Sequence, residues 1–387
     1  MKFGLVAGEA SGDLLGAGLI RALRERIPDA RFEGVAGPSM IAAGCDCWEE
    51  AEALAVMGLI EPLKHLPRLL KLRKMLVERW RADPPDVFIG IDAPDFNLGL
   101  EARLRESGIR TAHYVSPTVW AWRQGRIKTI ARAADLVLCI LPFEKTFYDE
   151  HGIRAEFVGH PMADSAPADV DVAAARRALD LGADDLVVAV LPGSRGSEVS
   201  RLAPLFAEAA AMLAARFDTL HFVTPVATPK LKPLIETAVD EAGVAGHFRL
   251  LDGDSYEAMA AADLVLLASG TAALEAALLR KPIVAAYKVA PLTATIVRAF
   301  GMLKVNQFTM PNHLTEEPVV PEFIQEEATP ERLAAAVAEL LDSPERRAEI
   351  SDIFATLRAK LALDADQRAA DAVLSLTDHA ARKPVPA

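Results

Sequence analysis

Short apolar runs alternate along most of the chain with longer stretches in which Ala, Leu, Arg and Glu recur at helical spacing. Continuous runs of Val, Ile, Leu and Phe are typical of strands that are buried on both faces of a parallel sheet. We therefore predict an α/β fold in which helices cover both faces of parallel sheets. The predicted strands lie near residues 3–8, 32–36, 86–92, 110–115, 136–141, 155–159, 186–191, 220–225, 248–251, 264–268 and 282–287.

The stretch DSAPADVD at 164–171 separates the two groups of strands, and we interpret it as a linker. It predicts a first Rossmann-like domain over 1–165 and a second over 172–360. Residues 361–387 are expected to form a helical C-terminal tail that packs back on the first domain or on a partner subunit. A chain of 387 residues is long enough for two cores of ordinary size.

One strand in each predicted domain ends in a turn of small residues that a helix follows. The first runs from Phe3 to Gly8 and leads into EASGD at 9–13, and the second runs from Leu186 to Leu191 and leads into PGSRGS at 192–197. Such a turn directs free backbone N–H groups and the positive end of the helix dipole towards an anion. The pair predicts two nucleotide-binding-type domains facing a cleft, so that a donor held by one half can meet an acceptor held by the other.

Composition narrows the function classes. Hydrophobic residues make up 51% of the chain and the mean hydropathy is +0.19, but no uninterrupted apolar run reaches the ~18 residues of a membrane span. The formal charge of −12 argues against a general nucleic-acid binder. Cys45, Cys47 and Cys139 form no CxxC pair, which fits reduced thiols in a cytosol and does not favour a metal site.

Asp92 is the best candidate for a general base. It lies in GIDAPDFN at 90–97, directly after the apolar run Val87-Phe88-Ile89. Ligands of open α/β sheets bind outside the carboxyl ends of the strands, so a carboxylate at this position faces the ligand. The alternative is that Asp92 or Asp95 only caps a helix that begins near Phe96, a role that fits Asp95 well.

Two turns in the second half are candidates for holding a pyrophosphate. The segment Gly193-Ser194-Arg195 offers close backbone approach, a hydroxyl and a bidentate guanidinium. Ser269-Gly270-Thr271 also follows a strand and opens a helix, in which Glu275 can accept hydrogen bonds from both ribose hydroxyls. The alternative is two ordinary strand-to-helix turns and a carboxylate that is favourable to the helix dipole. The chain lacks the GK[ST] ending of a Walker A motif here, which argues against ATP hydrolysis.

The segment YVSPTVWAWRQGR at 114–126 carries Trp120 and Trp122, with Arg123 directly after them. Rings two residues apart do not share one face of a helix. The segment is interpreted either as a wall of an acceptor pocket or as an inter-domain packing block, since packing is the commoner role of large aromatic side chains.

Several motifs, taken in order and at their spacings, resemble the lipid-A-disaccharide synthases. MPNHL at 310–314 and QEEATPE at 325–331 extend this resemblance almost to the end of the chain, although His313 stands where the family motif reads LPNLL. The other motifs are AGEASGD at 7–13, GIDAPDFN at 90–97, YVSPTVWAWRQGRI at 114–127, LPFEK at 141–145, FVGHPMAD at 157–164, LPGSRGSE at 191–198 and SGTAALE at 269–275.

The resemblance implies a GT-B glycosyltransferase at the cytoplasmic face of the inner membrane of Gram-negative bacteria. Its reaction would be the inverting transfer of 2,3-diacylglucosamine from UDP-2,3-diacylglucosamine to the 6-hydroxyl of 2,3-diacylglucosamine 1-phosphate (lipid X). The products would be the β-1,6-linked lipid A disaccharide 1-phosphate and UDP. Another GT-B UDP-sugar transferase or an epimerase with a soluble substrate is the alternative, and a non-catalytic nucleotide-sugar or lipid binder is a third.

The family's functional residues fall on Asp92, Glu9, Arg195 and Asn312 of this chain, and Glu9 and then His113 would be the next candidates for the base. Asn312 by itself would be interpreted as turn chemistry after Pro311.

No cofactor or metal is expected, because GT-B transferases generally offset the diphosphate charge with protein donors, and Asp254 and Asp263 look isolated. A homodimer is left open. The residues expected to bind UDP are Gly193, Ser194, Arg195, Ser269, Gly270, Thr271 and Glu275, and those expected on the acceptor and membrane side are Ser11, Trp120, Trp122, Arg123, Lys64, Lys71 and Lys74.

Lipid substrates require a membrane-facing surface, and residues 59–81 are the candidate. From Lys64 to Arg81 there are seven Lys or Arg residues and one acidic residue. A basic amphipathic helix binds anionic lipid through apolar contacts and Coulomb attraction, whereas the alternative is a helix that packs on the sheet with its charges outward. The apolar arc of this segment consists of Leu66, Leu69, Leu70, Leu72, Leu76 and Trp80.

Overall fold

The computed structural model describes residues 1–54, 61–120, 124–289 and 307–378. The chain divides into two compact units. Unit 1 comprises Met1–Asp164 together with Leu361–Ala387, and unit 2 comprises Ser165–Lys360. In the described ranges, no helix is both long enough and apolar enough to cross a bilayer.

Unit 1 contains a parallel sheet in the order β3-β2-β1-β4-β5-β6-β7. The sequence patterns predicted each of these strands to within two residues except β3, which has a polar, half-exposed sequence at the edge of the sheet. The strands are β1 Lys2–Ala7, β2 Arg31–Ala36, β3 Cys45–Glu50, β4 Val87–Ile91, β5 Arg110–Tyr114, β6 Leu136–Cys139 and β7 Ala155–Phe157.

Helices cover both faces of this sheet, as its apolar strands require. On one face, Trp80 packs edge-on against Phe88 of β4, with ring centroids 5.0 Å apart. On the other face, Leu19 and Leu23 belong to the core that contains Ile89 and Leu138. The helices described between Met1 and Ser165 are α1 Ala10–Arg26, α2 Pro38–Ala42, α3 Glu61–Ala82, α4 Pro94–Arg105, α5 Ile127–Ala133, α6 Pro142–Glu150 and α7 Pro161–Ser165.

Unit 2 contains a second parallel sheet, in the order β10-β9-β8-β11-β12-β13. Its strands are β8 Leu186–Leu191, β9 Leu220–Val226, β10 Phe248–Asp252, β11 Leu264–Ala268, β12 Ile283–Tyr287 and β13 Glu322–Ile324. Its helices are α8 Val172–Ala178, α9 Gly196–Ala214, α10 Lys232–Glu241, α11 Ser255–Ala261, α12 Thr271–Leu278, α13 Met310–Leu314, α14 Pro330–Asp342 and α15 Pro344–Leu361.

The last described helix, α16 (Ala365–Asp378), returns to unit 1 and packs on α1. The Asp164 carboxylate accepts hydrogen bonds from the N–H groups of Asp364 (2.9 Å) and Ala365 (2.7 Å) at the start of α16. The apolar residues of α16 that enter the core of unit 1 are Ala369, Ala370, Val373 and Leu376.

The predicted linker is shorter than the stretch 164–171. Asp164 lies in α7, and Asp171 is the N-cap of α8, where its carboxylate accepts from the Ala174 N–H at 2.8 Å. Only residues 166–171 lie between α7 and α8, and the last of them caps α8.

Candidate functional site

A cavity of about 400 Å³ opens at the carboxyl ends of β8 and β11 in unit 2. These strands adjoin where the strand order reverses, which is where ligands of open α/β sheets bind. All the residues that the sequence nominated for UDP line this cavity, namely Gly193, Ser194, Arg195, Ser269, Gly270, Thr271 and Glu275.

The turn after β8 directs Arg195 into solvent at the mouth of this cavity. Gly193 has φ +120°, a region that L side chains rarely adopt, and a Cβ there would lie 2.9 Å from the side chain of Glu198. Arg195 is the N-cap residue of α9, and its side chain is 60% exposed. Its Nη1 makes a long contact of 3.5 Å to Glu198 Oε1. Because the contact is long and the side chain is exposed, the guanidinium remains available to a phosphate.

The turn after β11 differs from the expectation at Ser269. The Ser269 N–H donates to Ala286 O at 3.0 Å, and its hydroxyl donates to Phe308 O at 3.0 Å. Both donors are therefore used within the protein. The amides that α12 offers to an anion are instead those of its first turn, which begins at Thr271 with Gly270 as the N-cap residue.

Glu275 lies behind these amides in the same cavity. Burial raises the pKa of Glu275, while a hydrogen bond from the Ser255 hydroxyl to Oε1 (3.2 Å) acts in the opposite direction. The oriented carboxylate is a hydrogen-bond acceptor of the kind that a ribose diol needs.

A third loop, after β10, also lines the cavity and was missed from the sequence. Gly253 and Asp254 have φ +79° and +56°, and the Asp254 carboxylate caps α11 by accepting from the Glu257 N–H at 3.1 Å. Asp254 is thus a lining residue, although it looked isolated in the sequence. The signal was the Gly-Asp-Ser turn at the end of a predicted strand. Asp263 pairs with Arg176 at 3.0 Å, outside the lining.

In unit 1, Asp92 leaves the sheet at the carboxyl end of β4. Its N–H donates to Tyr114 O on β5 at 2.8 Å, and Asp92 and the following Ala93 both adopt left-handed conformations, with φ 52° and 42°. Among the described residues, the half-buried Asp92 carboxylate has no hydrogen-bond or ion-pair partner. It is therefore available to a substrate.

The helix-capping alternative for these aspartates is wrong. α4 begins at Pro94, and its N-cap residue is Ala93. Asp95 lies within the first turn, where its carboxylate pairs with Arg126. The chain enters the helix two residues earlier than expected because the left-handed pair turns it sharply.

Glu9 emerges beside Asp92. Ala7 of β1 pairs with Ile91 of β4, and a Cβ built on Gly8 would lie 2.5 Å from Ala93 Cβ, so the two turns touch. Glu9 is exposed and lines a cavity of about 360 Å³ together with Ile41, Glu50 and Glu52. Ser11 is exposed in the first turn of α1.

Asn312 has a structural role in unit 2. Its Nδ2 donates to Val320 O at 2.9 Å and to Glu322 Oε1 at 2.7 Å. Its Oδ1 accepts from the N–H groups of Val319 and Val320, each at 2.9 Å. The buried amide is saturated and lies outside the cavity lining, so Asn312 fixes the segment before β13 and offers no donor to a substrate.

His113 is not accessible as a base. It is fully buried in β5, and its Nδ1 lies 2.7 Å from Oε1 of Glu101, which is also fully buried. Burial raises the pKa of Glu101, and the neighbouring histidine partly offsets that effect. The position of His113 at a strand end suggested that a substrate could reach it. This was misleading, because the side chain points into the core.

Trp120 packs within unit 1. Its ring stands edge-on to Phe143 of the same unit at a centroid distance of 4.8 Å, while the predicted packing between domains stays a prediction. Trp122 and Arg123 lie outside the described residues. Beside Trp120, burial raises the pKa of Glu144 to about 7 against hydrogen bonds from the Leu141 N–H, Ser116 and Trp120 that favour the carboxylate.

The apolar arc of α3 divides into two parts. Leu72, Leu76 and Trp80 are buried in the core of unit 1, whereas Leu66 and Leu70 are 45% and 46% exposed. The basic residues Lys71 and Lys74 are also exposed, and the side chain of Lys64 lies outside the described part. One face of α3 thus packs as the sheet-packing alternative requires, while Leu66, Leu70, Lys71 and Lys74 are exposed together.

The comparisons with known proteins place the chain in a family. The family model for lipid-A-disaccharide synthetase matches residues 3–376. The chain belongs to the lipid-A-disaccharide synthase family. The lipid-A-disaccharide synthase of Xanthomonas campestris pv. campestris (strain 8004) is 51% identical over 376 residues, 97% of this chain and 86% of its own. That of Alkalilimnicola ehrlichii is 50% identical over 377 residues, 97% of this chain and 98% of its own.

Solved structures support the architecture. A UDP-GlcNAc 2-epimerase from Neisseria meningitidis bound to UDP-GlcNAc matches with a TM-score of 0.62 at 12% identity, covering 97% of this chain and 100% of its own. A glycosyltransferase from Rickettsia africae matches with a TM-score of 0.60 at 12% identity, covering 99% of each chain. At these identities the likeness concerns the fold alone. The GT-B fold class is confirmed, and family membership confirms a glycosyltransferase of lipid A biosynthesis.

Proposed function

We propose that the enzyme transfers 2,3-diacylglucosamine from UDP-2,3-diacylglucosamine to the 6-hydroxyl of 2,3-diacylglucosamine 1-phosphate. The hydroxyl oxygen bonds to C1 of the donor sugar on the face opposite the diphosphate, which inverts that carbon. The bond from C1 to the β-phosphate oxygen breaks, and UDP leaves with the electron pair. The acceptor proton passes to a carboxylate, which acts as the base. The step also needs groups that stabilise the negative charge on the leaving UDP, and an in-line arrangement of the attacking oxygen, C1 and the leaving oxygen.

The cavity of unit 2 is proposed to hold UDP. It gathers two strand-to-helix turns, the exposed fork of Arg195 and the oriented carboxylate of Glu275. Arg195 and the first-turn amides of α12 would offset the charge that develops on the diphosphate, while Glu275 would accept from the ribose hydroxyls. This convergence of groups is the single observation that supports a nucleotide-sugar donor best.

Asp92 is proposed as the base. Its carboxylate has no partner among the residues that the structure describes, and it stands at the carboxyl edge of the sheet at the β1/β4 switch point. Glu9 emerges from the adjacent turn. We assign Glu9 to binding the acceptor sugar, since a carboxylate beside the cavity that contains Ile41 can accept from sugar hydroxyls.

The exposed residues of α3 between Leu66 and Lys74 are proposed to bind the cytoplasmic surface of the inner membrane. Leu66 and Leu70 offer apolar contact, and Lys71 and Lys74 offer attraction to anionic lipid headgroups. Peripheral binding of this kind would bring the enzyme to substrates whose acyl chains remain in the bilayer.

The decisive experiment measures UDP release from UDP-2,3-diacylglucosamine with and without lipid X. Asp92→Asn should lower the rate by about 10²–10⁴-fold, the usual contribution of general acid–base catalysis, while UDP affinity stays nearly unchanged. Asp95→Asn is the matched control, because it removes a neighbouring carboxylate that pairs with Arg126. UDP release that ignores lipid X would refute the proposed acceptor, and an active Asp92→Asn variant would refute the proposed base.

A further inference from the structure

Asn97 is a buried residue of the GIDAPDFN segment to which the reaction gives no role. It lies on α4 with no exposed surface. Its Nδ2 donates to Asp92 O at 2.8 Å, to Val6 O at 3.2 Å and to Ile91 O at 3.3 Å. Three carbonyl groups fix the direction of the amide, since the flipped side chain would set an oxygen against three oxygens.

Two of these carbonyls belong to the strands that end at the proposed acceptor site. Val6 lies in β1 and Ile91 ends β4, so one side chain joins both strands where they leave the sheet. The third carbonyl belongs to Asp92 itself, whose left-handed conformation is followed by another at Ala93. Two consecutive non-glycine residues in this conformation are strained, and they persist only when their surroundings hold them.

A second contact holds the same turn from outside. Gly8 is buried after β1, and a Cβ at that position would lie 2.5 Å from Ala93 Cβ, closer than real Cβ atoms approach. The space that glycine leaves is therefore filled by the turn. Asn97 thus holds the Asp92–Ala93 turn by hydrogen bonds, and the missing side chain of Gly8 leaves room for that turn.

We propose that Asn97 is a positioning residue for the transfer, because it holds the Asp92–Ala93 turn and so fixes the direction of the Asp92 carboxylate. The inference rests on the proposed role of Asp92 as base. It requires that the loss of Asn97 affect the chemical step more than the binding of either substrate. An error of about 1 Å in the placement of a catalytic group lowers turnover by up to ~10²-fold.

The first variant is Asn97→Asp, which keeps the size of the side chain and replaces the donor by an acceptor. We expect kcat to fall by about 10–100-fold while both KM values stay within ~3-fold, the pattern of a displaced catalytic group. UDP affinity should not change, because the proposed UDP residues lie in unit 2. A kcat within ~3-fold of the wild type would overturn the proposal.

Thr111→Val is the matched control for lost stability. Thr111 is likewise buried in unit 1, and its hydroxyl donates to Ala133 O at 2.7 Å. It lies near the start of β5, away from the carboxyl edge of the sheet. We expect this variant to lower the melting temperature while kcat holds. An equal loss of kcat in both variants would show that Asn97 is merely structural and would overturn the proposal.

Gly8→Ala decides the matter where Asn97→Asp does not fold. The added methyl group would lie 2.5 Å from Ala93 Cβ, so it displaces the turn without changing the side chain of Asn97. A lower kcat at unchanged KM supports the importance of the turn, and an unchanged kcat overturns it.

The Asp92→Asn variant separates this inference from the proposed function. If Asp92→Asn remains active, the base assignment fails. An inactive Asp92→Asn beside a fully active Asn97→Asp refutes only the role of Asn97.

Discussion

Backbone strain in unit 1 is concentrated at the carboxyl ends of β4 and β5. Asp92 and Ala93 follow β4, while Val115 and Thr118, with φ 77° and 39°, follow β5. A β-branched residue such as Val115 is rarely found with positive φ. Strain of this kind persists where the fold enforces it, often at a functional site. In this unit it marks the edge where Asp92 and Glu9 emerge.

Arg195→Lys tests the donor side at the scale of one residue. A lysine keeps the charge but cannot reproduce the planar bidentate fork on phosphate oxygens. We expect kcat/KM for the UDP-sugar to fall by about 10-fold or more, since a charged hydrogen bond contributes about 1.5–3 kcal/mol. Steady-state kinetics with the donor varied would measure it. Arg201→Lys, at a half-buried position of α9 that does not line the cavity, is the control, and unchanged donor parameters in Arg195→Lys would place Arg195 away from the diphosphate.

Glu144→Gln tests the pH dependence of stability. Burial raises the pKa of Glu144 from its ordinary 4.5 to about 7 in the folded state. As the pH rises from 4.5 to 7, the unfolded chain releases this proton while the folded chain keeps it, so rising pH favours unfolding. Relative to Glu144→Gln, the wild type should lose about 2–3 kcal/mol over this interval. Urea unfolding of both proteins at pH 4.5, 6 and 8 measures the difference, and parallel profiles would contradict the raised pKa.

At the scale of the element, we predict that the exposed lysines of α3 govern binding to anionic membranes. Reversal of Lys71 and Lys74 to Glu should release the protein from anionic vesicles, because each surface lysine contributes about 1 kcal/mol near an anionic leaflet. The effect should weaken at high salt as screening shortens the field. The melting temperature should change little, since exposed charges contribute little to folding. Co-sedimentation with liposomes at two ionic strengths is the measurement.

The matched control for this experiment reverses Lys230 and Lys360, two exposed lysines of unit 2. It changes the net charge by the same amount at a different place. Equal release by both double variants would show a general charge effect, and equal binding of the Lys71/Lys74 variant and the wild type would return all of α3 to the packing role that its buried half has.

Most strands were predictable because each is a continuous apolar run, which has few alternatives to a parallel sheet. β3 was not predictable, since its sequence CDCWEE is polar at the sheet edge, and β13 has only three residues. The proposed UDP residues were recognisable because strand-to-helix turns are local features of sequence. The engaged donors of Ser269 and the saturated amide of Asn312 were not, because their partners come from segments outside the motif itself.

At the scale of the molecule, removal of residues 365–387 should destabilise unit 1 selectively. Val373 and Leu376 are buried in its core, and burial of each such side chain contributes about 1.5–3 kcal/mol. All four tryptophans lie between Met1 and Asp164, so tryptophan fluorescence during urea unfolding reports on unit 1. We expect an earlier fluorescence transition and retained UDP binding. Coincident loss of UDP binding would show that the two units do not unfold independently.

The return of α16 to α1 also sets the order in which the two units can be completed during synthesis. Domains generally fold as units, the N-terminal one first. Here unit 2 is a continuous segment, Ser165–Lys360, whereas unit 1 also needs α16, which is synthesised after all of unit 2. The α1 face that α16 covers therefore stays open until α16 has been synthesised. An uncovered apolar face on a nascent chain is a binding surface for chaperones, and we expect the emergence of α16 to end that dependence.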